Sequence, residues 1–448
     1  MFFLLGIRHL KGGFGRGPVR GVLGRLFSTT NTAAQLAGAY AETRYSLVGR
    51  KNNLVRNMEQ NMTMRSSFGS SRQMKTMLFG GLMCILISGC AVTPVSVYVG
   101  SSDGNVYALR ADTGQPRWKV QTGGEIHSSP LLFDDRVIVG ADDGFIYAIN
   151  AESGTLAWKS QVVPNSQLNQ VTPRIFSTPV AAQGSIFIGS NYEGSVIAVN
   201  PKDGTVSVRS KLGTNSRQLV TASRDGKTIL VSSPGPYSVY ALSAGGGGPL
   251  WKQATGPINT PPQEGTGGII VVAGTNVVYV FDSSGTPLKN VLPPGTDSIV
   301  GEPSTPRDSG QFATGAGRLF VSRTGNKAEG YAIQSDGGWN REWSASPAQA
   351  LSFSPVLAGS GHLFVSSANG NVAALNYQNG TAYWSKGIDT NIAAKATLGM
   401  IDVPNNKWWV FVVSREGRIT ALDPYTGGSI WVHALGVGGV IDSPVTVD

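Results

Sequence analysis

From residue 97 to residue 448 the apolar residues come in short bursts of four to six, alternating with polar ones and broken by turn residues. Two copies of the pattern read VYVGSSDGNVYAL at 97–109 and VIVGADDGFIYAI at 137–149. Such short bursts, rich in Val, Ile, Tyr and Phe and bounded by turn signals, predict β-strands. No stretch after Cys90 carries a capped helical period, so helices are not expected. The pairs Asp103-Gly104, Asp143-Gly144, Glu193-Gly194, Asn369-Gly370 and Glu416-Gly417 each join two apolar bursts. A tight hairpin needs positive φ, which Gly adopts without steric cost.

The unit recurs eight times. Its central strand can be followed from Tyr107 through Tyr147, Ile197, Tyr240, Tyr279, Tyr331 and Ala373 to Thr420. The mean step is about 45 residues, which fits four short strands and their turns, one blade of a propeller. A Trp closes most units, as Trp118, Trp158, Trp251, Trp343, Trp384 and Trp431, with Val208 and Leu288 in units three and five. A large aromatic at one place in each unit fills the gap between neighbouring sheets. Ser129-Pro130, Thr178-Pro179, Thr260-Pro261, Thr305-Pro306 and Ser354-Pro355 precede their units, and Pro is tolerated at a strand start. The first unit has only a cramped Thr93-Pro94 before Val97, and the chain instead ends on Ser443-Pro444-Val445-Thr446-Val447. The expectation is an all-β, eight-bladed β-propeller of four-stranded antiparallel blades, closed by the C-terminal strand, which removes the open sheet edges.

Charge changes the picture less than its total implies. The chain carries a net +9, but residues 1–89 hold twelve Lys or Arg against Glu42 and Glu59, a net of +10, leaving about −1 for the rest. Nucleic-acid binding, the usual meaning of a basic total, is therefore not expected of the propeller. Met74-Lys75 opens an apolar run too short to span a bilayer but suited to a signal peptide. It ends in Ile87-Ser88-Gly89-Cys90, which resembles a bacterial lipobox. That resemblance implies cleavage before Cys90, lipidation of its sulfur and, with Ala91 following, delivery to the outer membrane. The expected organisation is 1–73 as a basic leader absent from the mature protein, 74–90 as signal peptide and 91–448 as propeller. Residues 1–41 lack acids and resemble a mitochondrial transit peptide. Two explanations stand: an over-extended start before Met74, or a genuine organellar leader and a mitochondrial location.

The units resemble the PQQ-like propeller repeat, V-Y-V-G-S-x-D-G-x-L-Y-A-L-D-x-x-T-G-x-x-x-W. The match is strong in units one, two, seven and eight. It weakens in units five and six and in unit four, where Pro234-Gly235-Pro236 replaces the Asp-Gly hairpin. Blade number, lipid signal and the lack of an enzymatic insertion are similar to the BamB family of outer-membrane assembly lipoproteins. The resemblance implies a non-catalytic scaffold on the periplasmic face of the outer membrane, held by a lipid anchor, whose partners are outer-membrane β-barrel assembly proteins. The alternative is a PQQ-dependent quinoprotein or a small-ligand-binding propeller. Quinoproteins of this repeat hold Ca²⁺ through Glu, Asn and Asp, and many carry a vicinal disulfide. No Cys follows Cys90, and no position matches the family's catalytic Asp, so no enzyme and no cofactor are expected.

No metal site is expected either. His127, His362 and His433 fall in different units, none paired at ligand spacing. Asp142-Asp143-Gly144 lacks the ligand ladder of a Ca²⁺ loop. Binding residues concentrate on loops held by a rigid scaffold, which directs attention to insertions. The lead from Trp158 to Thr178 is longer than that from Trp118 to Ser129, and the extra length is 162–175. In the BamB family a loop of this broad region contacts the barrel component, which makes Leu168, Val171 and Arg174 the candidate partner contact. A second apparent insertion, 324–343, carries Asn340, Arg341 and Glu342.

Overall fold

A computed structural model describes residues 94–162, 174–175, 177–213, 217–258, 260–288, 298–304, 318–333, 338–347, 351–358, 361–388, 391–402, 405, 407–436 and 440–448. Unit Met1–Met83, Cys90, Leu168 and Val171 lie outside these residues; the propeller lies within unit Cys84–Asp448. Among the described residues no helix is long and apolar enough to cross a membrane.

The alternating bursts form eight antiparallel sheets. In blade two, Leu131–Phe133, Arg136–Gly140, Phe145–Asn150 and Leu156–Gln161 pair in chain order. The middle two strands are buried almost throughout, and the last is exposed at half of its residues and buried at none. Short first strands of neighbouring blades touch one another, which places them at the centre of the ring. Blade one takes its innermost strand from the other end of the chain. Thr446–Val447 pairs with Ser96–Gly100, setting Val97 opposite Val447 and Tyr98 opposite Thr446. Blade five shows three strands among the described residues, and Leu288 N–H donates to Val280 O at 2.8 Å along the outer side of the third.

Each seam between blades is an apolar core of its own. Eight clusters of buried side chains occur, one per seam, and the cluster joining blades eight and one contains Val97, Phe411, Trp409, Ile441 and Val445. The recurring Trp, where a blade has one, locks its seam in two ways. Trp118 Nε1–H donates to Ala151 O of the next blade at 2.9 Å, and Trp158 does the same to Pro201 O at 3.0 Å. Trp431 donates to Ala111 O at 2.8 Å and so ties blade eight to blade one. The Trp face lies under the next turn's Gly. Gly154 has φ +72°, and a Cβ there would stand 2.7 Å from Trp118 Cγ, so both the backbone angle and the stacking require Gly.

The hairpin Asp has a second role beside its turn. Asp103 Oδ1 accepts Asn105 N–H at 3.0 Å and Oδ2 accepts the Tyr107 hydroxyl at 2.5 Å. Asp143 repeats both bonds with Phe145 and Tyr147. Burial, then that hydroxyl bond, pushes Tyr147 up to about 12. The repeat's Asp-Gly-x-x-Tyr spacing is thus a self-satisfied turn rather than a reactive one.

Two expectations change. In blade six the innermost strand is Ile299–Ser304, which ends before Thr305-Pro306, so that dipeptide is not its lead-in. The apparent insertion 324–343 is mostly strand: Lys327–Ile333 and Trp339–Ala345 are the outer two strands of the blade. Its charges are structural, with Arg341 Nη1 3.0 Å from Glu329 Oε1 and Arg318 Nε 3.2 Å from Glu342 Oε2.

Candidate functional site

The innermost strands surround a central opening, and their lead-in segments form its mouth. Ser129, Thr178, Pro261, Ser354 and Pro444 meet there from five blades, around a funnel of about 250 Å³. The Ser/Thr-Pro steps thus ring the mouth. Beside one of these steps Ser177 Oγ accepts Gly189 N–H at 2.7 Å and donates to Gly189 O at 3.2 Å, and in another Thr260 Oγ1 accepts Ala273 N–H at 3.3 Å. The charged groups in the described lining are His127, Arg217 and Asp442. Burial lowers the pKa of Arg217.

His127 is the centre of a charged cluster. The segment after blade one holds Glu125 and His127 two residues apart, with Ile126 between them buried under Gly100. A Cβ on Gly100 would collide with Ile126, so the Gly that ends the V-x-V-G strand makes room for this lead-in. Asp142 N–H donates to Glu125 O at 2.9 Å, which brings blade two's hairpin against the same segment. As a result, His127 Nε2 is 3.0 Å from Glu125 Oε2 and 3.6 Å from Asp142 Oδ2, while Nδ1 is 2.7 Å from Asp442 Oδ2. Asp442 arrives with the closing segment, 315 residues along the chain. Asp142 is 11% exposed at the side chain. Burial raises its pKa, against the lowering influence of His127 and Arg174.

No metal-ligand spacing is visible along the chain, because the three histidines fall in different units and Asp142 stands in a hairpin turn. The fold brings one His to two carboxylates instead, and one ligand atom from each of Glu125, His127 and Asp142 lies within 4.8 Å of the others. Ring closure, which no local spacing encodes, supplies the fourth group.

Arg174 is the one candidate partner residue that is described. Its Nε lies 3.5 Å from Asp142 Oδ2 and its side chain is half exposed. The candidate loop 162–175 is pinned at both ends. Val162 N–H donates to Gly144 O at 3.0 Å, and Ile175 is fully buried where a Cβ on Gly140 would stand. The loop therefore starts and ends beside the funnel mouth.

A second surface stands out on blades seven and eight. Tyr383 and Tyr425 are exposed and flank His362, with ring centroids 4.5 and 5.4 Å away. Next to them runs the outermost strand of blade eight, Ser429–Ala434, with Ile430 and Val432 exposed, Val432 at 57%. Other outermost strands carry a cation, such as Lys119, Lys159, Lys211, Lys252, Arg341 and Lys386. Lys on an edge strand discourages pairing with another chain. Blade eight has Val432 directly after its Trp, where blades one, two and four have Lys. Its His433 is held towards the neutral form by burial.

The sequence matches the family model described as outer membrane protein assembly factor BamB over residues 65–218 and 192–431. No curated protein matches it. Solved structures share its fold at low identity. A quinohemoprotein alcohol dehydrogenase, ADHIIG, from Pseudomonas putida HK5 aligns at 14% identity and a TM-score of 0.54, covering 72% of this chain and 69% of that one. The dihydro-heme d1 dehydrogenase NirN aligns at 11% and 0.58, covering 78% and 74%. BamB from Moraxella catarrhalis aligns at 14% and 0.39, covering 75% and 82%.

Proposed function

This chain belongs to the outer membrane protein assembly factor BamB family, and we propose that it is a non-catalytic, lipid-anchored scaffold that binds protein partners in outer-membrane β-barrel assembly. The observation that carries this reading is where the exposed apolar surface lies. The outer edge of blade eight and the tyrosines beside it present an uncharged strand edge to solvent. Such an edge accepts an extended segment of another protein by main-chain pairing.

The funnel supports the same reading. Its volume of about 250 Å³ lies below the roughly 300–1,000 Å³ of most small-molecule sites. The quinone of the alternative reading carries carboxylates. The described mouth offers Glu125, Asp142 and Asp442, which repel such a ligand, against Arg174 and Arg217, whose charge burial disfavours. With three carboxylates against two cations, the described residues do not fit that group.

Anchoring follows from the lipobox. With Cys90 acylated, six residues separate the lipid from Val97, and the propeller stays near the periplasmic face of the outer membrane. Several acyl chains, at about 0.8 kcal/mol per buried CH₂, hold it there. The mature N-terminal peptide, read by mass spectrometry, is expected to begin at an acylated Cys90. A mature terminus near residue 30 would instead establish the organellar leader.

Leu168, Val171 and Arg174 are the proposed partner contact, on a loop pinned beside the mouth. Affinity capture of the full chain, tagged at its C-terminus, from gently solubilised membranes is expected to recover a barrel-assembly protein. Simultaneous alanine substitution of the three residues should lower that recovery at least tenfold without lowering the melting temperature. Undiminished capture would remove the loop from the interface. Recovery of redox carriers, or of no partner, would overturn the scaffold.

A further inference from the structure

The carboxylates around His127 form an arrangement that partner binding does not require. The Asp442 carboxylate at 2.7 Å accepts the Nδ1–H of the ring. A carboxylate on one ring nitrogen orients the imidazole and directs the other nitrogen, Nε2, away from Asp442. Nε2 faces two further carboxylate oxygens, of Glu125 at 3.0 Å and Asp142 at 3.6 Å. Three potential ligand atoms thus converge, within 4.8 Å of one another, around a point that either a proton on Nε2 or a metal cation would bridge. Bonds of about 2.0–2.1 Å to a tetrahedral ion put neighbouring ligand atoms roughly 3.3 Å apart, and the two observed separations straddle that distance.

Charge and hydrogen bonding point the same way. Glu125, Asp142 and Asp442 bring three negative charges to the ring, and Arg174, 3.5 Å from Asp142, returns one. A divalent ion offsets the remaining two. Asp142 Oδ1 is buried and has no hydrogen-bond partner, so its desolvation is uncompensated until a cation or a bound water meets it.

We infer that Glu125, His127 and Asp142 bind a divalent transition-metal ion of the Zn²⁺ class at the funnel mouth, with Asp442 orienting the imidazole from behind. One imidazole nitrogen and two carboxylate oxygens suit that class. A fourth position is left to water. The site spans the seam between blades one and two, and its orienting carboxylate is on the ring-closing segment. Occupancy therefore couples to closure. Any ion that binds the folded state and not the unfolded chain raises stability by mass action.

Titration calorimetry of the full chain with Zn²⁺, after treatment with chelator, is expected to show one ion bound per chain and a matching rise in melting temperature. Glu125→Gln and His127→Gln should each weaken binding at least tenfold. Asp442→Asn, which removes the orienting carboxylate, should weaken it about 10–100-fold. Glu125 is exposed and makes no ring-closing contact, so Glu125→Gln keeps the test valid should His127→Gln fail to fold. No uptake of Zn²⁺ by the native chain, or uptake unchanged by Glu125→Gln, overturns the assignment. Partner capture is read separately, so either proposal can fail without the other.

Discussion

Removal of residues 441–448 is expected to destabilise the propeller by more than about 5 kcal/mol, which is as large as the whole stability of many domains. The segment is short, but it occupies the innermost position of blade one. Ile441 and Val445 are buried in the seam between blades eight and one. Burial of two such side chains is worth roughly 3–6 kcal/mol together. Val447 packs over Gly399 of the neighbouring blade, where any Cβ would collide with it. Asp448 N–H donates to Ser96 O at 3.0 Å, and Thr397 Oγ1 donates to Val445 O at 3.2 Å. Truncation leaves Ser96–Gly100 as an open edge and exposes the apolar seam behind it. Denaturant unfolding followed by Trp fluorescence should change from one steep transition to a broad one at low denaturant. A midpoint like that of the intact chain would mean that the seam bonded by Trp431 closes the ring unaided.

That dependence explains which parts of the molecule were legible in the sequence. The blades were, because the signals that define a blade are local. Asp103 and Tyr107 act within one hairpin, and the Trp118-to-Gly154 seam repeats at a fixed step. The closing strand was legible by subtraction, since blade one had only a cramped lead-in and the chain ended on a full one. The cluster at His127 was not. Glu125 and Asp142 are 17 residues apart on different blades, and Asp442 joins them only when the ring closes. Glu125 and His127 stand only two residues apart, and that was the available signal. Blade six misled for another reason. Arg323, Glu329 and Arg341 put charges where the pattern expects apolar residues, so two strands passed for an insertion. An edge strand without Lys or Arg, as in blade eight, becomes visible when the seven described outer strands are compared with one another.

Those same charges give blade six its most sensitive point. Glu329→Gln is expected to cost about 3–5 kcal/mol, the range for breaking a buried ion pair from one side. Glu329 is 2% exposed. Its Oε1 is 3.0 Å from Arg341 Nη1, and its Oε2 lies 3.2 Å from Arg323 Nε and accepts the Tyr331 hydroxyl at 2.7 Å. Arg323 Nε is close enough for an ion pair but is not aligned for a hydrogen bond to any neighbour. Its charge is therefore held by proximity to Glu329 more than by geometry. A Gln amide keeps the shape and removes the charge, which strands Arg323 in a site where it is 8% exposed. Burial first, and then the bond to Glu329, raise the pKa of Tyr331, so the neutral phenol remains a donor to whatever replaces the carboxylate. The double variant Glu329→Met with Arg323→Met separates the two costs. Replacing a buried pair by apolar residues of similar size is often neutral or stabilising, so the double variant should be more stable than Glu329→Gln alone. Urea unfolding of the wild-type, single-variant and double-variant proteins ranks their stabilities and checks this. A double variant as unstable as the single one would show that the carboxylate acts through Tyr331 and Arg341 and not by balancing Arg323.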